Sequence, residues 1–262
     1  MKHSLMLILV VFTLLNIGCG KTQKTNETQG TSAETTNNPT EPRILKSINH
    51  SEGIFSAYEY DSQKRLTKMT ITNHDIYGEI NNGEPIESFT TITYDSDDMI
   101  SIKSDNSYYG PATFHKKDNK VTVKTSDNTL TTTLTLDNAG NITKKEQIFA
   151  DESQYNSEEN FQYVNGNMVK LTVIYTWGTT TIECKFDNKK SVFNCNTPRW
   201  LLQYLYGVRA NTDLTGVNQN NIIEIKQNED TTTYDYEYDE YGYPINVEYT
   251  GYLSGFRGYE YF

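Results

Sequence analysis

Cysteine and histidine are scarce in this 262-residue chain, with three of the first and four of the second. That scarcity limits thiol and metal chemistry. None of Cys19, Cys184 and Cys195 has a histidine close to it in sequence, so zinc-ligand spacing is missing and no metal is expected. His3, His50, His74 and His115 are scattered over unrelated segments and form no His-Asp-Ser or Cys-His set by spacing. Basic residues are outnumbered as well, 23 Lys and Arg against 34 Asp and Glu, for a net charge of −11. Such a surface repels phosphate backbones and anionic headgroups, which excludes nucleic acid as a partner. The acidic stretch Asp95-Ser96-Asp97-Asp98 lacks the spaced ligands, the glycine and the distal glutamate of a calcium loop, and reads as a solvated turn. No glycosidase-type carboxylate pair can be singled out among so many acids. No catalytic residue and no cofactor is therefore assigned, and the chain reads as non-enzymatic.

A long apolar run occurs at the start. Lys2 followed by Leu5 to Ile17 has the form of a secretory signal, too short and too promptly followed by polar residues for a stable membrane span. Removing residues 1–18 takes away Lys2 and leaves the chain one unit more negative. Gly18-Cys19, with Leu15 and Asn16 ahead of it, resembles a bacterial lipobox. That resemblance implies a lipidated Cys19 as the first mature residue; ordinary signal cleavage beside an incidental cysteine is the other reading. Residues 20–42 hold Thr, Asn, Gln and Glu and almost nothing to bury, so 19–42 reads as an anchor and a flexible tether. The expected address is an outer-membrane lipoprotein, on the periplasmic or the outer face. Residues 43–262 then form one folded domain.

What the chain has in quantity is tyrosine, 20 residues of it. From Thr231 to Tyr249, Tyr234, Tyr236 and Tyr238 alternate with Asp235, Glu237 and Asp239, which lays rings on one face of a strand and carboxylates on the other. Asp239 to Gly242 supplies turn chemistry, and Ile245 and Val247 mark the returning strand. Similar units recur at Tyr58–Met69, Ile92–Ile102, Phe114–Val123, Leu134–Ile142, Phe161–Val173 and Phe186–Val192, with turns at Asp61, Asp95, Asp118, Asp137, Asn165 and Asp187. Leu130, Leu134 and Leu136 share one face and Thr129, Thr131, Thr133 and Thr135 the other; Val169, Leu171, Val173 and Tyr175 likewise oppose Lys170 and Thr172. Consecutive hairpins predict an all-β, single-domain, antiparallel up-and-down meander, curved or barrel-like. The Thr, Lys and Glu of the outer face argue against strands that contact lipid. Twenty tyrosines can fill such an interior provided their hydroxyls reach partners.

Between Asp187 and Asp239 lies the one helix signal. Thr197 suits an N-cap, Pro198 the first helical position and Gly207 the exit, while Leu201, Tyr204, Leu205 and Val208 make a stripe at helical spacing. A single short helix in a meander covers an open sheet edge or plugs one end. Cys184 and Cys195 flank the unit centred on Lys189 and Lys190. A hairpin there sets them opposite each other for a disulfide; a loop with an odd residue count makes Asn194 the partner of Cys184 instead.

The Tyr-x-Tyr-Asp-x-x-Gly-x-Ile pattern resembles the Tyr-Asp (YD) repeats of RHS-type surface proteins. The segment around Trp200–Tyr206, Asn220-Asn221-Ile222-Ile223 and Tyr236-Glu237-Tyr238-Asp239 through Pro244 is similar to secreted bacterial lipoproteins of the DUF4595 family, a domain of unknown function. That resemblance implies a porin-like curved sheet and brings no catalytic residue with it. Trp and Tyr near turns or the helix, namely Trp177, Trp200, Tyr204, Tyr206, Tyr241 and Tyr243, are the candidate ligand contacts, since a pyranose stacks its CH face on such rings. The expected role is a monomeric, non-enzymatic binding or scaffold module of the cell envelope, for a glycan or other polar ligand at the helix-capped end. An assembly component of an envelope complex, and less so a hydrolase, are the alternatives.

Overall fold

Alternation of apolar and polar residues, interrupted by Asp- and Asn-led turns, produces sixteen strands among the described residues. The structure is a computed structural model that describes residues 42–51, 53–73, 85–105, 111–126, 129–206, 217–252 and 254–262. The chain divides into a unit of residues 1–38, outside the described residues with the signal, Cys19 and most of the tether, and a unit of residues 39–262, to which everything below refers.

The strands are β1 (Leu45–His50), β2 (Ile54–Tyr60), β3 (Leu66–Asn73), β4 (Ile86–Ser96), β5 (Met99–Ser104), β6 (Ala112–Lys117), β7 (Lys120–Thr125) and β8 (Leu130–Leu136) in the first half. The second half holds β9 (Ile142–Phe149), β10 (Ser157–Val164), β11 (Asn167–Tyr175), β12 (Gly178–Phe186), β13 (Ile222–Gln227), β14 (Asp230–Tyr238), β15 (Pro244–Gly251) and β16 (Gly255–Tyr261). Each pairs antiparallel with its neighbours in sequence, and β1 pairs with β16, so the sheet closes as an up-and-down barrel. Closure removes the unpaired edges that an open meander would present. The expected meander is thus a barrel, and a helix has no edge to cover.

Connections alternate between the two ends. The turns led by Asp61, Asp137, Asn165 and Asp239 all lie at one end, together with Ile44 and Phe262, whose backbones bond across the closing seam (Phe262 N to Ile44 O, 2.9 Å). Three of these turns share one construction. Asp61 Oδ1 accepts the N–H of Gln63 and Arg65, Asp137 Oδ1 those of Ala139 and Asn141, and Asp239 Oδ1 those of Tyr241 and Tyr243. The fourth residue sits at positive φ: Lys64 at 62°, Gly140 at 78° and Gly242 at 80°. A bulge precedes each Asp, at Tyr60, Leu136 and Tyr238.

Phe186 and Asp187 begin the same turn, but no hairpin follows. Asp187 N bonds Asn221 O, and Asp187 Oδ1 accepts the N–H of Lys189 and of Asn221, 34 residues away rather than four. The turn keeps its closing bonds and carries an insertion, residues 190–220. This corrects the expected sixth hairpin, because β12 pairs with β13 and not with residues 190–195. It also separates the cysteines. Cys184 lies opposite Ile225, Cys195 bonds Thr197 Oγ1, and both are free thiols.

The insertion folds inward as α1 (Arg199–Leu205). Trp200, Leu201, Leu202 and Leu205 are buried in one cluster with Leu66, Phe114, Leu134 and Ile142 from the inner wall. The helix therefore plugs the end that carries the Asp turns. Thr197 is not its N-cap: the cap residue is Pro198, and Thr197 Oγ1 instead accepts the N–H of Leu66 at 2.7 Å. Gly207 and Val208 lie outside the described residues.

Inward positions change character along the barrel. On most strands the first two positions from the plugged end are apolar or aromatic, as with Tyr60 and Tyr58, Leu136 and Leu134, or Tyr238 and Tyr236. Beyond them come Ser56, Thr90, Thr132, Lys145, Glu159, Thr232 and Arg257. Exposure then rises toward the far mouth, from 1% at Thr132 and 2% at Thr90 to 40% at Ile86. The outward positions of the same strands hold Glu59, Lys68, Thr91, Thr133, Lys144, Glu183 and Glu237, with exposed apolar side chains such as Phe55, Phe89 and Ile148 set among them. In β11 a bulge at Gln162/Tyr163 sets Met168, not Val169, opposite Tyr163. Met168 is consequently the buried one, which corrects the expected four-residue face.

Candidate functional site

Of the six aromatic candidates, four are parts of the plug or its socket. Trp200 is 5% exposed and lies 5.7 Å from the Phe114 ring, which also meets Tyr204 edge-on at 5.0 Å. Tyr206 packs on Phe193 at 4.6 Å and its hydroxyl reaches Met69 Sδ at 3.3 Å. Tyr243 is 3% exposed, with its hydroxyl accepting a bond from Asn194 Nδ2 at 3.0 Å. Trp200, Tyr206 and Tyr243 are so enclosed that they have no face to offer a ligand, while Tyr204 is partly buried. Tyr241 is half-buried, and Arg43, which also pairs with Asp239 at 2.8 Å, lies over its ring at 4.5 Å.

The plug is held by polar contacts on several sides of the wall. Gln203 Oε1 accepts the N–H of Ile142 at 2.8 Å, and its amide donates to Tyr163 Oη, while Arg199 donates to Gly166 O. Asp187 accepts the Tyr238 hydroxyl, and Asn221 Nδ2 donates to Lys190 O at 2.8 Å. Burial pushes the Tyr163 and Tyr238 phenols well above their usual range, and the neighbouring Asp187 carboxylate adds to the rise at Tyr238. A cavity of about 30 Å³ between Tyr163, Met168, Gln203 and Val217 has room for a water or two. Neither thiol is poised as a nucleophile: burial pushes Cys184 up to about 12 and raises Cys195 as well. Among the described residues no three His, Cys, Asp or Glu side chains converge as metal ligands. Asp95 accepts the Ser101 hydroxyl on the outer wall.

Trp177 stands at the opposite end, 65% exposed in the turn between β11 and β12. It stacks on Tyr175 with centroids 4.9 Å apart and planes 7° from parallel. Tyr155, in the short 3-10 turn Ser153–Tyr155, meets Trp177 edge-on at 6.3 Å and Phe149 at 6.2 Å. The two connections are tied together, Thr176 Oγ1 donating to Gln154 O at 2.6 Å and Phe149 N to Asn156 Oδ1 at 2.9 Å. Tyr175 is paired with Ser157, and Ser157 with Gln147, so half-exposed polar side chains continue inward from the rings. Deeper, Lys145 and Glu159 face each other at 2.8 Å. Trp177 and Trp200 therefore belong to different ends of the barrel. Sequence reading missed Phe149, Tyr155, Gln147 and Ser157; alternation from Leu171 through Tyr175 was the available signal for the rim, but it says nothing of which neighbouring strand brings Tyr155.

Two solved structures are similar to this chain over most of its length. A porin-like protein from Bacteroides uniformis aligns with TM-score 0.60 at 17% identity, covering 86% of this chain and 99% of that one. A porin-like protein from Bacteroides vulgatus aligns with TM-score 0.52 at 12% identity, covering 84% and 99%. No protein-family profile and no curated protein matches the chain. The porin-like fold is thereby supported.

Proposed function

We propose that this chain is a cell-envelope lipoprotein of the DUF4595 type whose barrel is a non-enzymatic binding module for a polar ligand. The observation that carries the reading is the polarity of the barrel from end to end. One end is sealed by α1, while the inner wall toward the other end turns polar and increasingly exposed. Both Ile44 and Phe262 leave from the sealed end. In this reading the tether from a lipidated Cys19 joins the barrel at its sealed end, where Ile44 lies. The outer wall mixes Glu, Lys and Thr with separate exposed apolar side chains such as Phe55, Phe89, Ile148 and Phe256. This interrupted pattern supports a barrel standing outside the bilayer, since strands in lipid need a continuous apolar outer band.

Mass spectrometry of the native N-terminus is expected to find a diacylglyceryl thioether on Cys19, and Cys19→Ala to release the protein from the membrane fraction. A Cys19→Ala protein that stays with the membrane would sink the anchor. For binding, immobilised full-length protein is expected to retain a component of a polar envelope extract. Retention of nothing from that extract would leave a scaffold and remove the binding module.

A further inference from the structure

The aromatic cluster at the far mouth has the form of a ligand platform rather than of core packing. A ring buried to stabilise a hairpin turn would be enclosed; Trp177 stacks on Tyr175, meets Tyr155 edge-on and still keeps 65% of its surface in water. Trp177, Tyr155, Tyr175 and Phe149 touch one another as one contiguous aromatic patch, with Trp177 65% and Tyr155 48% exposed. A contiguous exposed patch marks an interaction site where a single exposed ring does not. The ring is also fixed in place. Stacking on Tyr175, the edge contact with Tyr155 and the Thr176–Gln154 bond leave little orientation to be lost on binding. Immediately inward, the Ser157 hydroxyl donates to Gln147 Oε1 at 3.4 Å, leaving the Ser157 oxygen and the Gln147 amide N–H groups to meet a ligand, and Glu159 lies one inward position deeper.

Resting on the reading of the barrel as a binding module, we infer that the far mouth is a saccharide subsite. A pyranose unit lies on the Trp177 indole beside Tyr155, and its hydroxyls bond to Ser157 and Gln147. A flat apolar face edged by hydroxyls is the surface that matches an indole bordered by neutral donors and acceptors. The negative net charge of the chain selects uncharged sugars over sulfated or uronic ones. This moves sugar recognition from the plugged end, where Trp200 and Tyr206 are enclosed, to the opposite one.

The two tryptophans allow a direct test. In the full chain carrying Trp200→Phe, emission reports on Trp177. Titration with maltohexaose, cellohexaose and xylohexaose is expected to shift and intensify or quench that emission saturably with at least one of them. Trp177→Ala is expected to weaken the same binding, followed by calorimetry, about tenfold or more, and Tyr155→Ala to weaken it less. Trp200→Phe should leave the calorimetric affinity unchanged. Saccharide binding that survives Trp177→Ala overturns the placement at this mouth. No response to any of the three sugars, alongside retention of another compound from the polar extract, overturns the saccharide class and leaves the binding module standing.

Discussion

Asp187 is the side chain on which the insertion hangs. Its carboxylate takes the N–H groups of Lys189 and Asn221, the Asn221 amide and the Tyr238 hydroxyl, closing the wall across residues 190–220. Hydrogen bonds to a charged acceptor contribute more than neutral ones, so Asp187→Ala is expected to destabilise by about 2–3 kcal/mol in urea unfolding. Asp95→Ala, which removes an outer-wall partner of Ser101, should stay within about 0.5 kcal/mol. Two of the hairpin aspartates also make stability depend on acid. Burial pushes the Asp61 and Asp137 carboxyls upward, but donors from Arg65 and Gln63 in one turn, and from Asn141 and Ala139 in the other, outweigh it and hold both below their usual range. Such groups contribute fully above the unfolded-state value and lose the contribution as pH falls through the lower, folded one. The urea midpoint should therefore decline below about pH 4, and an Asp61→Asn, Asp137→Asn double variant should show a shallower decline.

Among the elements, α1 has only seven residues and two turns, too few to persist alone in water. Packing maintains it. Leu201 and Leu205 are 0% and 1% exposed, and Leu201→Ala is expected to cost about 2–5 kcal/mol by opening a cavity between helix and wall. Thr197→Val keeps the shape but removes the acceptor of the Leu66 N–H and should cost about 1–3 kcal/mol. Denaturant midpoints measure both. An N-cap role for Thr197 would instead confine the damage to the first helical turn, and hydrogen exchange at Leu66 would then stay slow; fast exchange there is the expected result.

For the molecule as a whole, closure is what keeps the strands from pairing elsewhere. The β1–β16 seam is sealed by ladder bonds, by Phe262 N to Ile44 O and, beside it, by the Arg43–Asp239 ion pair. Removing residues 255–262 would leave β1 and β15 as open edges on a surface otherwise without them. The truncated chain is expected to elute as aggregates in size exclusion where the full chain is dispersed, and a monodisperse truncated species would argue against closure as the protecting feature.

Period-two alternation and Asp-led turns were enough to read strands, sidedness and six of the seven hairpins, because those depend on residues a few positions apart. The sequence also marked a helix between Thr197 and Gly207 and named Trp177 as a candidate. It could not tell that Asp187 closes on Asn221, that Thr197 serves β3 instead of its own helix, or that Cys184 lies across from Ile225. Nor could it tell that Trp177 and Trp200 stand at opposite ends of the barrel. Those relations join residues far apart in the chain. They are decided by the parity of strands around a closed wall and by an insertion folding inward, where apolar burial outweighs local spacing.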